Sequence, residues 1–228
     1  MREIVVDTET TGLDPGDGHR VIEIGCVELL DHVPTGLSLQ RYLNPEREVP
    51  AEALRIHGIN DRFLSSMPLF SAIADELLDF FGDAPLVMHN ASFDLKFINA
   101  ELLRVARPLI PVGRTIDTIE IAKAKIPGAR YSLDELCRRF GIDLACRAKH
   151  GALLDAQLTA RVYLELVGGR QTRLRLAPRD SVQIVSEIRI ATLQRPEPLT
   201  PRISAAELEA HVAFVAAELG SDAVWAWQ

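Results

Sequence analysis

The chain has 228 residues, 47% of them hydrophobic and 25% charged, the balance of a folded globular protein rather than of a disordered or collagen-like one. A formal net charge of −7 argues against a protein that grips nucleic acid through a broad basic surface. No apolar run approaches the roughly 18 residues of a membrane span. The amino terminus, MREIVVDTETTG, turns acidic where a secretory signal would stay apolar, so a cytoplasmic location without a membrane partner is expected. Cys26, Cys137 and Cys146 lack the close pairing of a zinc site and read as reduced structural thiols.

Residues 4–6 and 21–27 are β-rich runs bounded by turn residues, and 37–43 is a third candidate strand. Leu69, Ile73, Leu77, Leu78 and Phe81 follow helical spacing. A short apolar strand at 86–88 precedes a helix expected from about Phe93 to Val105. Ser132-Leu-Asp-Glu135 is a capping box opening a helix toward Phe140, with Gly141 as its stop, and residues 151–167 form a last helix closed by Gly168 and Gly169. Strands first, then strands alternating with helices, predict an α/β fold with a mixed sheet flanked by helices.

Charge divides the chain into zones: 1–170 carries a net −6, 171–195 a net +3, and 196–228 a net −4. The expected organisation is a domain over 1–170, a flexible linker over 171–200, and a docking tail over 201–228. The tail has capping-box spacing at Ser204 and Glu207, apolar residues at helical intervals, and Trp225 and Trp227 near its end. One helix is too little to build a core alone, so a docking peptide is the natural reading.

Three short segments carry titratable groups in suggestive patterns. Asp7 and Glu9 are two residues apart on a strand, so both carboxylates share one face, a geometry suited to a divalent cation. Thr10, Thr11 and Gly12 follow as a turn that a ligand can approach closely. Asp94, in His89-Asn-Ala-Ser-Phe-Asp94, stands at a helix amino terminus that favours its ionised form. His150 and Asp155 would lie about 140° apart on a continuous helix, so Gly151 places His150 on the preceding loop, from which it could act as a general base. Taken singly, each has an ordinary structural reading: a strand end, a helix first turn, a solvated loop histidine. Asp117 reads as a strand-end cap or as a supporting residue of the same site.

Together the segments resemble the three exonuclease motifs of the DEDD superfamily, in the subclass whose base is a histidine. The tyrosine subclass places its base four residues before the last aspartate, where Gly151 stands here. Asp7-Thr-Glu-Thr-Thr-Gly12, Ile56-His-Gly-Ile-Asn-Asp61, His89 to Asp94, and His150-Gly-Ala-Leu-Leu-Asp-Ala-Gln157 are similar to the epsilon-type proofreading subunits of bacterial DNA polymerase III, densely over 1–170. The resemblance implies a ribonuclease H-like fold and removal of the terminal nucleotide of a single-stranded or frayed DNA 3′ end as a monophosphate. It implies two divalent cations, Mg²⁺ or Mn²⁺, held by Asp7, Glu9, Asp94 and Asp155, with His150 as base. Thr10, Thr11 and Leu13 would line the terminal-nucleotide site, while His57, His89, Asn90 and Phe93 would contact the strand or shape the pocket. By the same resemblance, Gln171-Thr-Arg-Leu174-Arg-Leu176 is a sliding-clamp motif, read equally as an ordinary linker start, and the tail binds the polymerase alpha subunit. Two further readings are a freestanding exonuclease trimming RNA or oligonucleotide 3′ ends, and an inactive adaptor between clamp and polymerase.

Overall fold

The computed structural model describes residues 1–144, 150–168 and 203–218. The chain divides into two compact units, Met1–Arg175 and Leu176–Gln228. In the first, the central strand β1 (Arg2–Thr10) turns alternate residues to opposite sides, and residues 4–6 are fully buried. It pairs antiparallel with β2 (Val21–Leu30), which pairs antiparallel with β3 (Val33–Tyr42). The turn between β2 and β3 is Asp31-His32, both with positive φ (51° and 69°), the two-residue geometry that matches strand twist.

The chain then crosses over through α1 (Ala51–His57), α2 (Asp61–Leu64) and α3 (Phe70–Phe81) to β4 (Leu86–Met88), which lies parallel to β1. Helix α4 (Ala91–Arg104) leads to β5 (Thr115–Asp117), parallel to β4, giving a mixed five-stranded sheet in the order β3-β2-β1-β4-β5. Helices α5 (Thr118–Lys125), α6 (Leu133–Arg139) and α7 (Ala152–Val167) complete the unit. The expected mixed sheet flanked by helices is thus the observed architecture.

Each sheet face has its own core. Ile4, Val6, Ile24 and Cys26 pack with Phe81 of α3 and Phe97 of α4. On the other face Val5, Val27, Leu29 and Val87 pack against Ala156, Ala160 and Tyr163 of α7. Ala152, Ala156 and Ala160 are all buried at four-residue spacing, so α7 presents a stripe of small side chains that lets it lie close to the sheet. Gly25 completes that approach, because a Cβ there would run into the backbone of Ala152 and Leu153.

Several boundaries differ from the sequence expectation. β3 begins at Val33 rather than near residue 37, because its first half is an exposed edge segment with no apolar alternation to mark it. β1 runs through Glu9 to Thr10, so the acidic pair lies within the strand and the turn starts at Thr11. Helices α1 and α5 carry too few buried residues to show periodicity: Ala53 and His57 in one, Thr118 and Ala122 in the other. The Ser132 cap is present as expected, accepting from the Glu135 N–H at 3.4 Å.

In the second unit the described part is α8 (Ala205–Glu218), opened by Ser204 and Glu207, which form the expected reciprocal cap. Cys26 and Cys137 are both buried. Cys146, the linker 171–200 with its Gln171 motif, and Trp225 and Trp227 lie outside the described residues. Among the described residues no helix is long and apolar enough to cross a membrane.

Candidate active site

The site forms where β1 and β4 end. Asp7 and Glu9 project to the α7 side of β1, opposite Gly25 and Glu23 of β2 in register. Thr8, between them, points the other way and donates both its N–H (2.9 Å) and its hydroxyl (2.7 Å) to one oxygen of Asp94. A single strand therefore supplies two carboxylates on one face and grips a third from the other. Asp94 sits in the first turn of α4 and is only 3% exposed. Burial pushes its carboxyl up to about 7, against the lowering effect of the Thr8 hydrogen bonds.

The turn that delivers Asp94 is strained and held. Asn90 adopts the left-handed conformation at φ 73° immediately before α4. The Asp117 carboxylate accepts from the N–H groups of Asn90 (3.2 Å), Ala91 (3.1 Å) and Ile119 (2.8 Å), capping α4 and α5 together. Both readings of Asp117 meet here, since a strand-end cap is also what fixes the start of α4. His89 is tied to the Thr118 hydroxyl at 2.8 Å.

His150 lies outside the helix and Asp155 inside it, as the five-residue spacing required. The His150 N–H reaches the Ile56 carbonyl at the end of α1 (3.4 Å), and its Nδ1 is 3.2 Å from Asp155. Candidate ligand atoms of Glu9, His150 and Asp155 all lie within 4.8 Å of one another. Asp7, Glu9, Asp94, His150 and Asp155 line one cavity of about 390 Å³, and His89 and Asn90 line it too. The donor set is rich in carboxylate oxygen, and buried Asp94 accepts from uncharged Thr8 groups, so the residues fit hard divalent cations.

A second cavity of about 500 Å³ adjoins the first, sharing Thr8, Glu9 and Phe93. Thr10, Thr11, Leu13 and His57 line this second space, and Leu13 is 83% exposed at its mouth. The loop forming its wall is closed by Thr11 and Arg20, which pair through their backbones and through the Thr11 hydroxyl. It is also tied to α4 by Lys96 and Asp14 at 2.6 Å. The predicted site residues thus divide between two joined compartments, the carboxylates in one and most of the nucleotide-pocket candidates in the other. Sequence reading missed Asp134, which lines the carboxylate cavity from α6, and Gly25; the capping box explained the first, and nothing local marks the second.

The RNase T exonuclease family matches residues 4–163. The DNA polymerase III subunit epsilon of Rickettsia conorii is 50% identical over 185 residues, 80% of each chain. That of Escherichia coli is 44% identical over 202 residues, covering 85% of this chain and 82% of its own. Among solved structures, the nuclease domain of 3′hExo, a DEDDh family member bound to rAMP, superposes with a TM-score of 0.63 at 20% identity, covering 73% of this chain and 91% of that one. Exonuclease X in complex with 5′ overhanging duplex DNA gives 0.57 at 24%, covering 72% and 90%.

Proposed function

The chain belongs to the DNA polymerase III epsilon family, with its RNase T-type exonuclease domain, and from that membership we propose how its residues work. The protein is a metal-dependent 3′→5′ exonuclease that proofreads for the replicative polymerase, removing misincorporated nucleotides from a DNA 3′ end as monophosphates. The observation that carries the assignment of its catalytic residues is the meeting of Asp7, Glu9, Asp94, His150 and Asp155, drawn from β1, α4, α7 and the segment just before α7, on one cavity.

Asp7, Glu9, Asp94 and Asp155 hold divalent cations, and oxygen donors of this kind select Mg²⁺ or Mn²⁺. Asp7, Glu9 and Asp155 would hold the cations together with Asp94, beside the water that His150 deprotonates. When bound, the cations supply Lewis-acid stabilisation of the charge that develops on the phosphate and on the attacking and leaving oxygens. His150 takes the proton from the attacking water, and Asp155, 3.2 Å from its Nδ1, orients the ring. Thr10, Thr11, Leu13 and His57 form the neighbouring compartment for the terminal nucleotide, with Phe93 at the junction. His89 and Asn90 border the scissile side.

The acidic tail 201–228 docks the polymerase alpha subunit. Its helix α8 keeps Leu208, Val212 and Phe214 exposed, 39–61% each, as an apolar helix seeking a partner would. The segment from Gln171 to Leu176 touches the sliding clamp, and the protein works in the cytoplasm at the replication fork. The assay is degradation of labelled single-stranded DNA with and without Mg²⁺. Asp7→Ala and His150→Ala are expected to abolish it with the fold intact; full activity in a highly purified His150→Ala protein refutes the base assignment. Deleting residues 196–228 should leave this activity and remove co-purification with the alpha subunit, and unchanged co-purification refutes the docking role.

A further inference from the structure

Glu23 is a carboxylate that the reaction does not use, placed where a carboxylate is costly. It stands on β2 directly opposite Glu9, on the same sheet face, and is 1% exposed. Its two oxygens have distinct partners. One accepts from the N–H of Ala152 (3.2 Å), the first residue of α7, and the other from the Gln40 side-chain amide of β3 (2.7 Å). Gln40 is braced in turn by the Tyr42 hydroxyl at 3.2 Å, and Tyr42 meets the Phe63 ring edge-on. Burial first, and then the Glu23 charge, push the Tyr42 phenol up.

The N-cap of α7 is Gly151, which has no side chain to satisfy the first turn. A negative group at that end of a 16-residue helix is favoured by the helix dipole and by the exposed N–H groups. Glu23 thus supplies from 129 residues away in sequence the cap that Gly151 cannot. The capped residue lies between His150, two positions before it, and Asp155, three after it. Gly25 allows α7 to come down onto the sheet, and Glu23 fixes how far along it the helix starts.

We propose that Glu23 is a positioning residue for the exonuclease reaction: bridging Gln40 and the Ala152 N–H, it sets the amino terminus of α7 so that His150 and Asp155 meet Glu9. The inference rests on the catalytic roles given above to His150 and Asp155.

The test uses the full chain and labelled single-stranded DNA with Mg²⁺. In E23Q the new amide oxygen can still accept from the Ala152 N–H, but its NH₂ faces the Gln40 amide donor, so one of the two bonds is lost. Adding Q40E restores a donor facing an acceptor and returns the charge. E23Q is expected to lower kcat by about 10- to 100-fold, the cost of misplaced reacting groups, with KM changed by less than roughly 3-fold. E23Q/Q40E should recover most of that loss, and Mn²⁺ binding followed by calorimetry should weaken in the single variant and return in the double. A kcat for E23Q within about 2-fold of wild type, or no recovery in the double variant, overturns the proposal. If E23Q does not fold, E23D, which keeps the charge but withdraws from Ala152, is measured with the same expectation; wild-type kcat there overturns it equally. Wild-type protein inert on DNA would instead refute the functional reading, and this inference with it.

Discussion

The two faces of the sheet are built from the same strands and do opposite work. Toward α3 and α4, Ile4, Val6, Ile24, Cys26, Leu86 and Met88 form one continuous apolar core closed by Phe81 and Phe97. Toward α7 the apolar patch is smaller, and carboxylates flank it: Glu3 at one end, Asp7, Glu9 and Glu23 at the other. Glu3 accepts from the Tyr163 hydroxyl and pairs with His32, both at 2.7 Å, so acidic side chains hold α7 near both of its ends. The first face carries most of the apolar burial and grips Asp94 through Thr8, while the second carries the other candidate ligands, where burying charge costs free energy that the apolar core offsets. The net −7 takes its meaning from this division: four of the negatives are the proposed cation ligands, and an acidic surface overall does not conflict with a nuclease whose electropositive element is its metal.

Substitutions that separate the faces should therefore separate activity from stability. Asp7→Ala is expected to have the largest effect, lowering the rate by roughly 10⁴-fold, about 5 kcal/mol, while the melting temperature stays level or rises as like charges are removed. A parallel loss of thermal stability would merge the two faces. Phe97→Ala, on the apolar face, should cost about 3–5 kcal/mol in chemical denaturation while the folded fraction keeps its kcat. Gly25→Ala should do both, because the added methyl meets the α7 backbone: about 1–3 kcal/mol of stability is lost together with most activity. If Gly25→Ala proved fully active, close approach of α7 would not be what assembles the site. Asp117→Ala should be smallest, about 1–2 kcal/mol from the lost caps, with a modest fall in rate as Asn90 relaxes.

The elements that sequence made legible are those in which one face is strongly apolar. Helix α3 buries Phe70, Ile73, Ala74, Leu77 and Phe81, a helical repeat visible without coordinates. Helices α1 and α5 were not legible, since each is short and docks through two buried residues of little hydrophobic contrast. The exposed half of β3 is held by backbone pairing with β2, which leaves no side-chain pattern. Among site residues, the acidic groups and His150 stood out because their chemistry sits in short motifs. Asp134, Glu23 and Gly25 did not, because a capping box, a strand residue and a strand glycine are ordinary until something packs on them.

The sequence alone determined which groups are candidates for the chemistry: two carboxylates at a two-residue interval on a strand share a face, and a glycine between His150 and the last helix frees the histidine from it. Only the tertiary structure decided that these groups meet. Residues 7, 94 and 155 are brought together by parallel pairing of β4 with β1, by the Thr8 grip on Asp94, and by the descent of α7 over Gly25. Backbone periodicity is local and can be read along the chain, whereas the close approach of distant segments depends on small side chains and buried hydrogen bonds that acquire meaning only once the sheet has formed.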